Sequence, residues 1–227
     1  MVVAFFITYY LCLQQAKRQG VSVEPIANLI FYVFIFGLLG ARLLYILLNL
    51  GSYLKNPWEI IMLQRGGMAW FGGLFFGSAT AIWYIKRHKL DLFATLDLFV
   101  PFAALGQAIG RIGCLLNGCC YGRESQYGLY FWVHGKTLIP TQIYSTLLLL
   151  AIFVILRFKQ DALHSPGQVL RGYLLLDSCQ RFFIEYLRND SARNIFGLTI
   201  FQVLCLMVFT VALILTPGVI AALRKPR

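Results

Sequence analysis

The fold of this chain is decided by residues 29–50, which read LIFYVFIFGLLGARLLYILLNL. The run is long enough for an α-helix to cross the hydrocarbon core of a bilayer, which takes about 20 residues. Arg42 is its single charged side chain. The stretch therefore predicts a transmembrane helix, in which Arg42 either pairs structurally or contacts a ligand, because a charge is costly in lipid.

The composition of the whole chain agrees with a membrane environment. Of 227 residues, 59% are hydrophobic and only 13% are charged, whereas a soluble domain carries about 25% charged residues. Disordered, collagen-like and small disulfide-rich chains are excluded. The net charge of +11 arises from cations in short loops between apolar runs. That is the pattern of topology signals, so we expect no nucleic-acid partner.

The apolar runs predict about seven membrane-spanning segments. They fall at roughly 1–16, 29–50, 67–85, 94–117, 141–157, 168–187 and 195–216. Loops rich in Gly, Pro and charge separate them, and no internal repeat or domain boundary is visible. We therefore expect an all-α integral membrane protein with a single domain, residues 1–227. The aromatic stretch 127–136 is expected to form a short strand or interfacial segment of a small extracytoplasmic head.

The distribution of Lys and Arg predicts the orientation. One side of the predicted membrane collects 10 of them: Lys17, Arg18, Lys86, Arg87, Lys89, Arg157, Lys159, Arg224, Lys225 and Arg227. The other side collects 6: Lys55, Arg65, Arg123, Lys136, Arg188 and Arg193. The positive-inside rule then places the N-terminus outside and the C-terminus in the cytoplasm.

Arg111 is one of two arginines within the predicted helices that indicate function. It lies in GQAIGRIGCLLNGCCYG (106–122), where glycines remove the side chains from one helix face. Two interpretations are open. The glycines allow close packing of a neighbouring helix, or they allow the head group of a ligand to approach the backbone beside the guanidinium.

Arg181 is the second intramembrane arginine. It lies in DSCQRFFIEYLRND (177–190), where Asp177, Arg181, Glu185 and Arg188 fall on one helix face. The ladder is either a satisfied stripe of ion pairs or part of a ligand site. Because guanidinium groups are natural partners of phosphate, we expect a phospholipid head group to bind near Arg181, with Glu185 holding that arginine in place.

Three clustered cysteines raise the question of a metal. Cys114, Cys119 and Cys120 have the spacing C-x4-C-C, which lacks the C-x2-C pair typical of zinc sites. The three histidines lie at scattered loop positions. We therefore expect small residues packed beside glycines, with no metal and no redox cofactor.

Several motifs together resemble one family. The run GRIGCLLNGCCYG (110–122) resembles GRxGNFxNxExxG, the signature of the prolipoprotein diacylglyceryl transferase family. In the family's order, GARLLY (40–45) resembles its GxRxxY, and GGMAWFGGLFFG (66–77) resembles its glycine-rich loop and helix. PTQIY (140–144) resembles its HPxQLYE, and RFFIEYLR (181–188) its RxxxExxR.

The resemblance implies an activity and a place for it. Members transfer the diacylglyceryl group of phosphatidylglycerol to the lipobox cysteine thiol of a prolipoprotein, and glycerol-1-phosphate leaves. The implied location is the inner membrane of a bacterial cell, crossed several times, and no cofactor is implied. The implied catalytic residues are Arg111, Arg181 and Glu185. The implied substrate-binding residues are Arg42, Tyr45, Gly66, Gly72, Gly110, Gly113, Asn117, Gly122, Gln142, Tyr144 and Arg188.

The chain departs from the family pattern at proton-carrying positions. Phe71 stands where the family has His or Tyr, and it cannot accept a proton. Cys114 and Cys119 replace the Asn and Glu of the signature, and Ile139 and Ser145 replace the His and Glu of HPxQLYE.

Three explanations of the missing base are open. The two arginines lower the pKa of the acceptor thiol enough for water to take its proton, or a carboxylate such as Glu185 or Asp177 takes it through water. Otherwise the chain is a divergent paralogue that uses another acceptor or is inactive. A non-enzymatic protein that binds or transports phospholipid is the alternative from another functional class.

Overall fold

The computed structural model describes residues 2–55, 58, 69–162, 164–188, 193–195 and 197–224. Helices dominate these residues. They are α1 (Val2–Arg18), α2 (Val23–Leu48), α3 (Leu50–Lys55), α4 (Trp70–Arg87), α5 (Leu92–Leu116), α6 (Thr141–Asp161), α7 (Gln168–Leu187), α8 (Ile200–Ile214) and α9 (Pro217–Arg224). The strands are β1 (Glu124–Phe131), β2 (Lys136–Leu138), β3 (Arg193–Ile195) and β4 (Leu198–Thr199).

Each of the seven predicted segments overlaps a helix. Among the described residues, α2, α5 and α6 are long and apolar enough to span a membrane, and α8 is a shorter apolar helix. The prediction of a mostly helical, multi-pass membrane protein is therefore confirmed, whereas the number of seven spans and the orientation stay predictions. The second segment begins earlier than expected, at Val23, because Pro25 lies in the first helical turn, where its missing N–H costs nothing.

The chain divides into two compact units, Met1–Gln14 with Phe93–Arg227, and Gln15–Leu92. The single domain therefore stays a prediction. The unit Gln15–Leu92 is built on the pairing of α2 with α4. A Cβ added to Gly72 would lie 2.3 Å from the carbonyl oxygen of Gly40, so the two backbones meet at a distance that only glycine allows. The N–H of Ala69 also donates to the carbonyl of Ala41 at 2.9 Å.

The other unit has its core between α5, α6 and α7. Val100 and Ala104 of α5 pack with Ile152 and Leu156 of α6 and with Val169 of α7. Val100 and Ala104 are four positions apart, as are Ile152 and Leu156, so one apolar face of α5 and one of α6 contribute to this cluster together with the start of α7. The core fixes how the arginine-bearing helices α5 and α7 face each other.

A proline inside α5 is compensated by α6. Pro101 cannot donate to the carbonyl of Asp97, four residues before it. Nε2 of the buried Gln160 donates to the carbonyls of Asp97 and Leu98 at 2.9 and 3.0 Å. The helix α5 therefore continues past Pro101 without leaving the carbonyl of Asp97 unsatisfied inside the protein.

The carboxylate of Asp97 caps the beginning of α7. Its Oδ2 accepts the N–H of Gly167 at 2.5 Å, and its Oδ1 accepts the N–H of Leu170 at 2.7 Å. His164 Nε2 lies 3.5 Å from the same carboxylate. A negative charge at a helix N-terminus satisfies free N–H groups and complements the helix dipole. Asp97 thus sets where α7 starts and how it is rotated.

The predicted head is a β-hairpin. Strands β1 and β2 pair antiparallel, with Tyr130 opposite Thr137 and Phe131 opposite Lys136. The short strand expected in residues 127–136 is confirmed. Its aromatic and β-branched residues explain it, since they favour a pleated surface. A second short pair, β3 with β4, precedes α8.

Candidate active site

A buried carboxylate at the end of α7 joins two arginines, Arg181 within the helix and Arg188 directly after its last residue. Glu185 is 1% exposed. Its Oε2 lies 3.7 Å from Nη2 of Arg181 and 3.6 Å from Nη1 of Arg188. Arg181 and Glu185 share a face of α7 because they are four positions apart, and Arg188 reaches the same carboxylate from the extended residue that follows the helix. A carboxylate buried between two guanidinium groups fixes both, and its loss would leave two like charges facing each other.

The guanidinium of Arg181 is the centre of a larger charged cluster. It interacts electrostatically with Arg111 of α5 and with Arg188. Its Cζ also lies 5.5 Å from the centre of the Phe201 ring, which is a cation–π distance. The side chain of Arg181 is 20% exposed, so it remains accessible to a ligand.

Asp177 also belongs to the cluster, but its hydrogen bond is with Gln180, whereas the spacing of the ladder suggested an ion pair with Arg181. Its Oδ1 accepts a hydrogen bond from Nε2 of Gln180 at 3.1 Å. It also interacts electrostatically with Arg181 and Arg111. In the described part of this region, three guanidinium groups therefore face the two carboxylates of Asp177 and Glu185. With all five ionised, the cluster carries one net positive charge.

The start of α8 holds Glu185 from the other side, and sequence reasoning missed these residues. The Thr199 hydroxyl lies 3.4 Å from Oε1 of Glu185, which accepts its hydrogen bond. Thr199 also forms a capping box with Gln202, whose Nε2 donates to the carbonyl of Phe182 at 3.4 Å. The signal was visible as T-x-x-Q before an apolar run, which is the sequence pattern of a capping box.

Two glycines beside Arg111 border open space. No described atom lies within 4 Å of a Cβ added to Gly110 or Gly113. Gly106, one turn earlier, does pack, since its added Cβ would lie 3.2 Å from Thr8. Of the two interpretations of this glycine-rich face, helix packing therefore accounts for Gly106. Access for a head group fits Gly110 and Gly113.

The signature ends α5 in a turn that gathers the three cysteines. The N–H of Cys119 donates to the carbonyl of Cys114 at 3.1 Å, and Gly118 between them has φ +66°. Their sulfur atoms and that of Cys120 all lie within 4.8 Å of one another. Burial raises the pKa of the Cys120 thiol, while the positive charge of Arg188 opposes that rise. Asn117, which precedes the turn, is exposed.

Gly122 links the end of the signature to the end of α7. It forms a β-bridge with Arg188, and the N–H of the next residue, Arg123, donates to the carbonyl of Leu187 at 3.0 Å. A Cβ at position 122 would lie 2.8 Å from that carbonyl oxygen and 2.8 Å from the Cβ of Ile139. The structure thus places Gly122 where it positions Arg188.

The first turn of α6 fixes the cysteine-bearing turn. Nε2 of Gln142 donates to the carbonyl of Cys119 at 2.7 Å, and the Thr141 hydroxyl donates to that of Cys120 at 2.6 Å. Gln142 is 1% exposed, and its Oε1 has no hydrogen-bond partner among the described residues. Tyr144, by contrast, is 42% exposed. Gln142 is therefore a buried polar group that is only half satisfied.

The remaining predicted residues belong to the unit Gln15–Leu92. Arg42 is 6% exposed, and its Cζ lies 5.5 Å from the centre of the Tyr53 ring. Tyr45 packs against the same ring, with centres 6.4 Å apart. Gly72 is explained by its contact with the backbone of Gly40. Gly66 lies outside the described residues, and a role in substrate binding stays a prediction for all of these positions.

Comparison with known proteins identifies relatives over most of the chain. The family model described as prolipoprotein diacylglyceryl transferase matches residues 1–217. A phosphatidylglycerol–prolipoprotein diacylglyceryl transferase of Clostridium tetani is 32% identical over 208 residues, covering 88% of this chain and 83% of the relative. The protein of the same name from Streptococcus agalactiae is 29% identical over 228 residues, covering 95% of this chain and 87% of its own length.

Proposed function

The chain belongs to the prolipoprotein diacylglyceryl transferase family, and on that premise we propose that it transfers diacylglyceryl from phosphatidylglycerol to a cysteine thiol of a prolipoprotein. The acceptor sulfur forms a bond with the terminal glyceryl carbon. The bond between that carbon and the phosphate oxygen breaks, and glycerol-1-phosphate leaves with the electron pair. The thiol proton passes to solvent or to a nearby carboxylate.

The observation that carries this proposal is the buried Glu185 between Arg181 and Arg188. Together with Arg111 and Asp177 it forms a cluster with one net positive charge, which matches the single negative charge of a phosphodiester. A second negative charge develops on the phosphate as glycerol-1-phosphate leaves. Guanidinium groups that are already fixed in place stabilise that charge more than they stabilise the bound lipid, and this difference lowers the barrier.

The open space at Gly110 and Gly113 supports the placement of the lipid. A head group lying against this face of α5 would have its phosphate beside Arg111, which is one and two positions from these glycines. Arg111 and Arg181 are the catalytic arginines of this proposal, and Glu185 positions Arg181.

The proposal includes the acceptor and the location. The acceptor is the lipobox cysteine of prolipoproteins, and the protein acts in the inner membrane of a bacterial cell. It crosses that membrane seven times, with the N-terminus outside. The three long apolar helices and the 10 to 6 distribution of Lys and Arg support this arrangement.

A transfer assay read by mass spectrometry tests the function. Purified protein is mixed with phosphatidylglycerol and a lipobox peptide that carries one cysteine. We expect a diacylglyceryl mass gain on the cysteine and release of glycerol phosphate. Arg181→Ala is expected to lower the rate about 100-fold or more, as removal of a donor to a developing negative charge does.

The matched control is Arg171→Ala. Arg171 lies on the same helix but outside the cluster, where its Nε donates to the carbonyl of Ala212 at 3.1 Å. We expect this variant to retain activity. Lipid binding by folded wild-type protein without any covalent product would contradict the transferase and favour a protein that only binds or transports phospholipid.

A further inference from the structure

The three cysteines at the end of α5 form a cluster to which the proposed transfer reaction assigns no role. We propose that Cys114, Cys119 and Cys120 together bind a thiophilic divalent metal ion of the Zn²⁺ class. This inference is independent of the proposed function, because it rests on the geometry of the turn and is tested by metal binding.

The backbone of the turn brings two of the three sulfur atoms together. The N–H of Cys119 bonds to the carbonyl of Cys114, and the N–H of Gly118 bonds to that of Leu115 at 3.1 Å. With Gly118 at φ +66°, this is a Schellman motif. In that motif the side chains of the residues at the positions of Cys114 and Cys119 come into contact. The spacing C-x4-C therefore brings two sulfur atoms together here, although it differs from the usual C-x2-C.

Cys120 has a backbone conformation that is unusual for a residue other than glycine. Its φ is +62°, in the left-handed region that residues with a Cβ rarely adopt and that commonly marks functional positions. The Schellman contact accounts for two thiols but not for the third. The left-handed residue places Cys120 so that its sulfur lies within 4.8 Å of the other two.

Hydrogen bonds from neighbouring side chains hold the turn in place without any ligand. Three consecutive carbonyls each accept a hydrogen bond from a side chain. The donors are Nε2 of His134 to Gly118 at 2.8 Å, Nε2 of Gln142 to Cys119 at 2.7 Å and the hydroxyl of Thr141 to Cys120 at 2.6 Å. Outer hydrogen bonds of this kind orient ligands in metal sites.

The distances between the sulfur atoms and the charges around them both suit a divalent metal ion. A Zn–S bond is about 2.3 Å long, so two thiolates on one tetrahedral ion lie about 3.8 Å apart. The present separations, all within 4.8 Å, exceed that value by at most about 1 Å. Three thiolates and a divalent ion carry one net negative charge. Arg111 and Arg188 both interact electrostatically with Cys120 and compensate that charge. Water completes the fourth coordination position.

Metal titration of the purified full-length chain tests the site. The thiols are kept reduced with a phosphine, Zn²⁺ binding is measured by calorimetry, and Co²⁺ binding is followed by its thiolate charge-transfer absorption. The variants are Cys114→Ser, Cys119→Ser and Cys120→Ser. The matched control is Cys179→Ser, which removes an exposed thiol on α7. We expect one ion per chain in wild type and in Cys179→Ser.

Each cluster variant is expected to lose the thiolate absorption and to bind Zn²⁺ at least about tenfold more weakly, since even outer-shell changes cost that much. A second measurement needs no variant: Zn²⁺ should slow alkylation of the three cluster thiols, mapped by mass spectrometry, but not of Cys179. Absence of binding by folded wild type, equal binding by all four variants, or a disulfide between cluster cysteines in place of metal would each overturn the proposal.

Discussion

Replacing Glu185 by glutamine tests the effect of its negative charge while keeping the size of its side chain. Glu185→Gln keeps the size of the side chain and an oxygen for the Thr199 hydroxyl, but it removes the negative charge between Arg181 and Arg188. We expect the free energy of unfolding to fall by about 3 kcal/mol, the cost of leaving buried charges unpaired. Thermal unfolding in detergent measures this, and the transfer rate should fall with it.

The control for that prediction is Glu124→Gln on the hairpin. Glu124 pairs with Lys136, and both side chains are more than half exposed. An exposed pair contributes about 0–1 kcal/mol, so this variant should unfold close to wild type. Equal unfolding temperatures for Glu185→Gln and wild type would show that the buried carboxylate does not hold the arginines.

Two glycines of the signature should respond in opposite ways to alanine. Gly122→Ala places a Cβ 2.8 Å from the carbonyl oxygen of Leu187, and such overpacking costs about 1–3 kcal/mol of stability. Gly113→Ala meets open space within a helix, where alanine is favoured over glycine by about 1 kcal/mol. We therefore expect Gly113→Ala to be at least as stable as wild type but to bind phosphatidylglycerol more weakly, measured with labelled lipid. Unchanged affinity would mean that the head group does not use this space.

At the scale of elements, the cap that Asp97 provides should determine the stability of α7. Asp97→Ala leaves the N–H groups of Gly167 and Leu170 without their acceptor. We expect a loss of about 2 kcal/mol, at the upper end for a helix cap, because the groups are buried. Asp161→Ala is the matched control, since its side chain is 58% exposed and pairs with Arg157 at the end of α6. Equal losses in chemical unfolding of the two variants would contradict the cap.

The compensation between Pro101 and Gln160 can be measured as a coupling. Gln160→Leu in wild type leaves the carbonyl of Asp97 buried without a donor, which costs about 1–3 kcal/mol. In a Pro101→Ala background the new N–H of residue 101 satisfies that carbonyl, so the same substitution should cost less. A double-mutant cycle of unfolding free energies measures the difference. Strict additivity would show that Gln160 stabilises the protein in another way.

The elements differ in how far the sequence predicts them. The helices were predictable because lipid requires long apolar runs, and Arg181, Glu185 and Arg188 because helical spacing alone places them on one face. The contact of Thr199 with Glu185 was not predicted, although the capping-box pattern T-x-x-Q indicated that a helix begins after Thr199. The sequence predicted that Cys114, Cys119 and Cys120 are small residues packed beside glycines, but it did not predict that their three sulfur atoms lie close together. That proximity depends on a Schellman turn and a left-handed cysteine, and spacing rules for zinc do not encode either.

At the scale of the whole molecule, the orientation prediction depends on which helices cross the membrane. Among the residues that the structure describes, four helices lie between the hairpin tip near Gly135 and the C-terminus: α6, α7, α8 and α9. With 8 residues, α9 is too short to span a bilayer. Of these, α6 is long and apolar enough to span, whereas α8 has 15 residues and is about 22 Å long, shorter than a hydrocarbon core of about 30 Å. An odd number of crossings places the hairpin and the C-terminus on opposite sides.

Reporter fusions measure whether the number of crossings between the hairpin and the C-terminus is odd or even. A reporter that is active only in the cytoplasm is joined to the C-terminus, and another is inserted between residues 134 and 135 of the hairpin turn. Because Arg224, Lys225 and Arg227 lie at the C-terminus, we expect activity there and none in the hairpin. A third fusion directly after the end of α4, where residues 86–89 contain three cations, should report the cytoplasm as well. Activity at both the hairpin and the C-terminus would mean that α7 or α8 does not cross. The distribution of Lys and Arg would then fail to predict the side of the membrane on which the hairpin or the C-terminus lies.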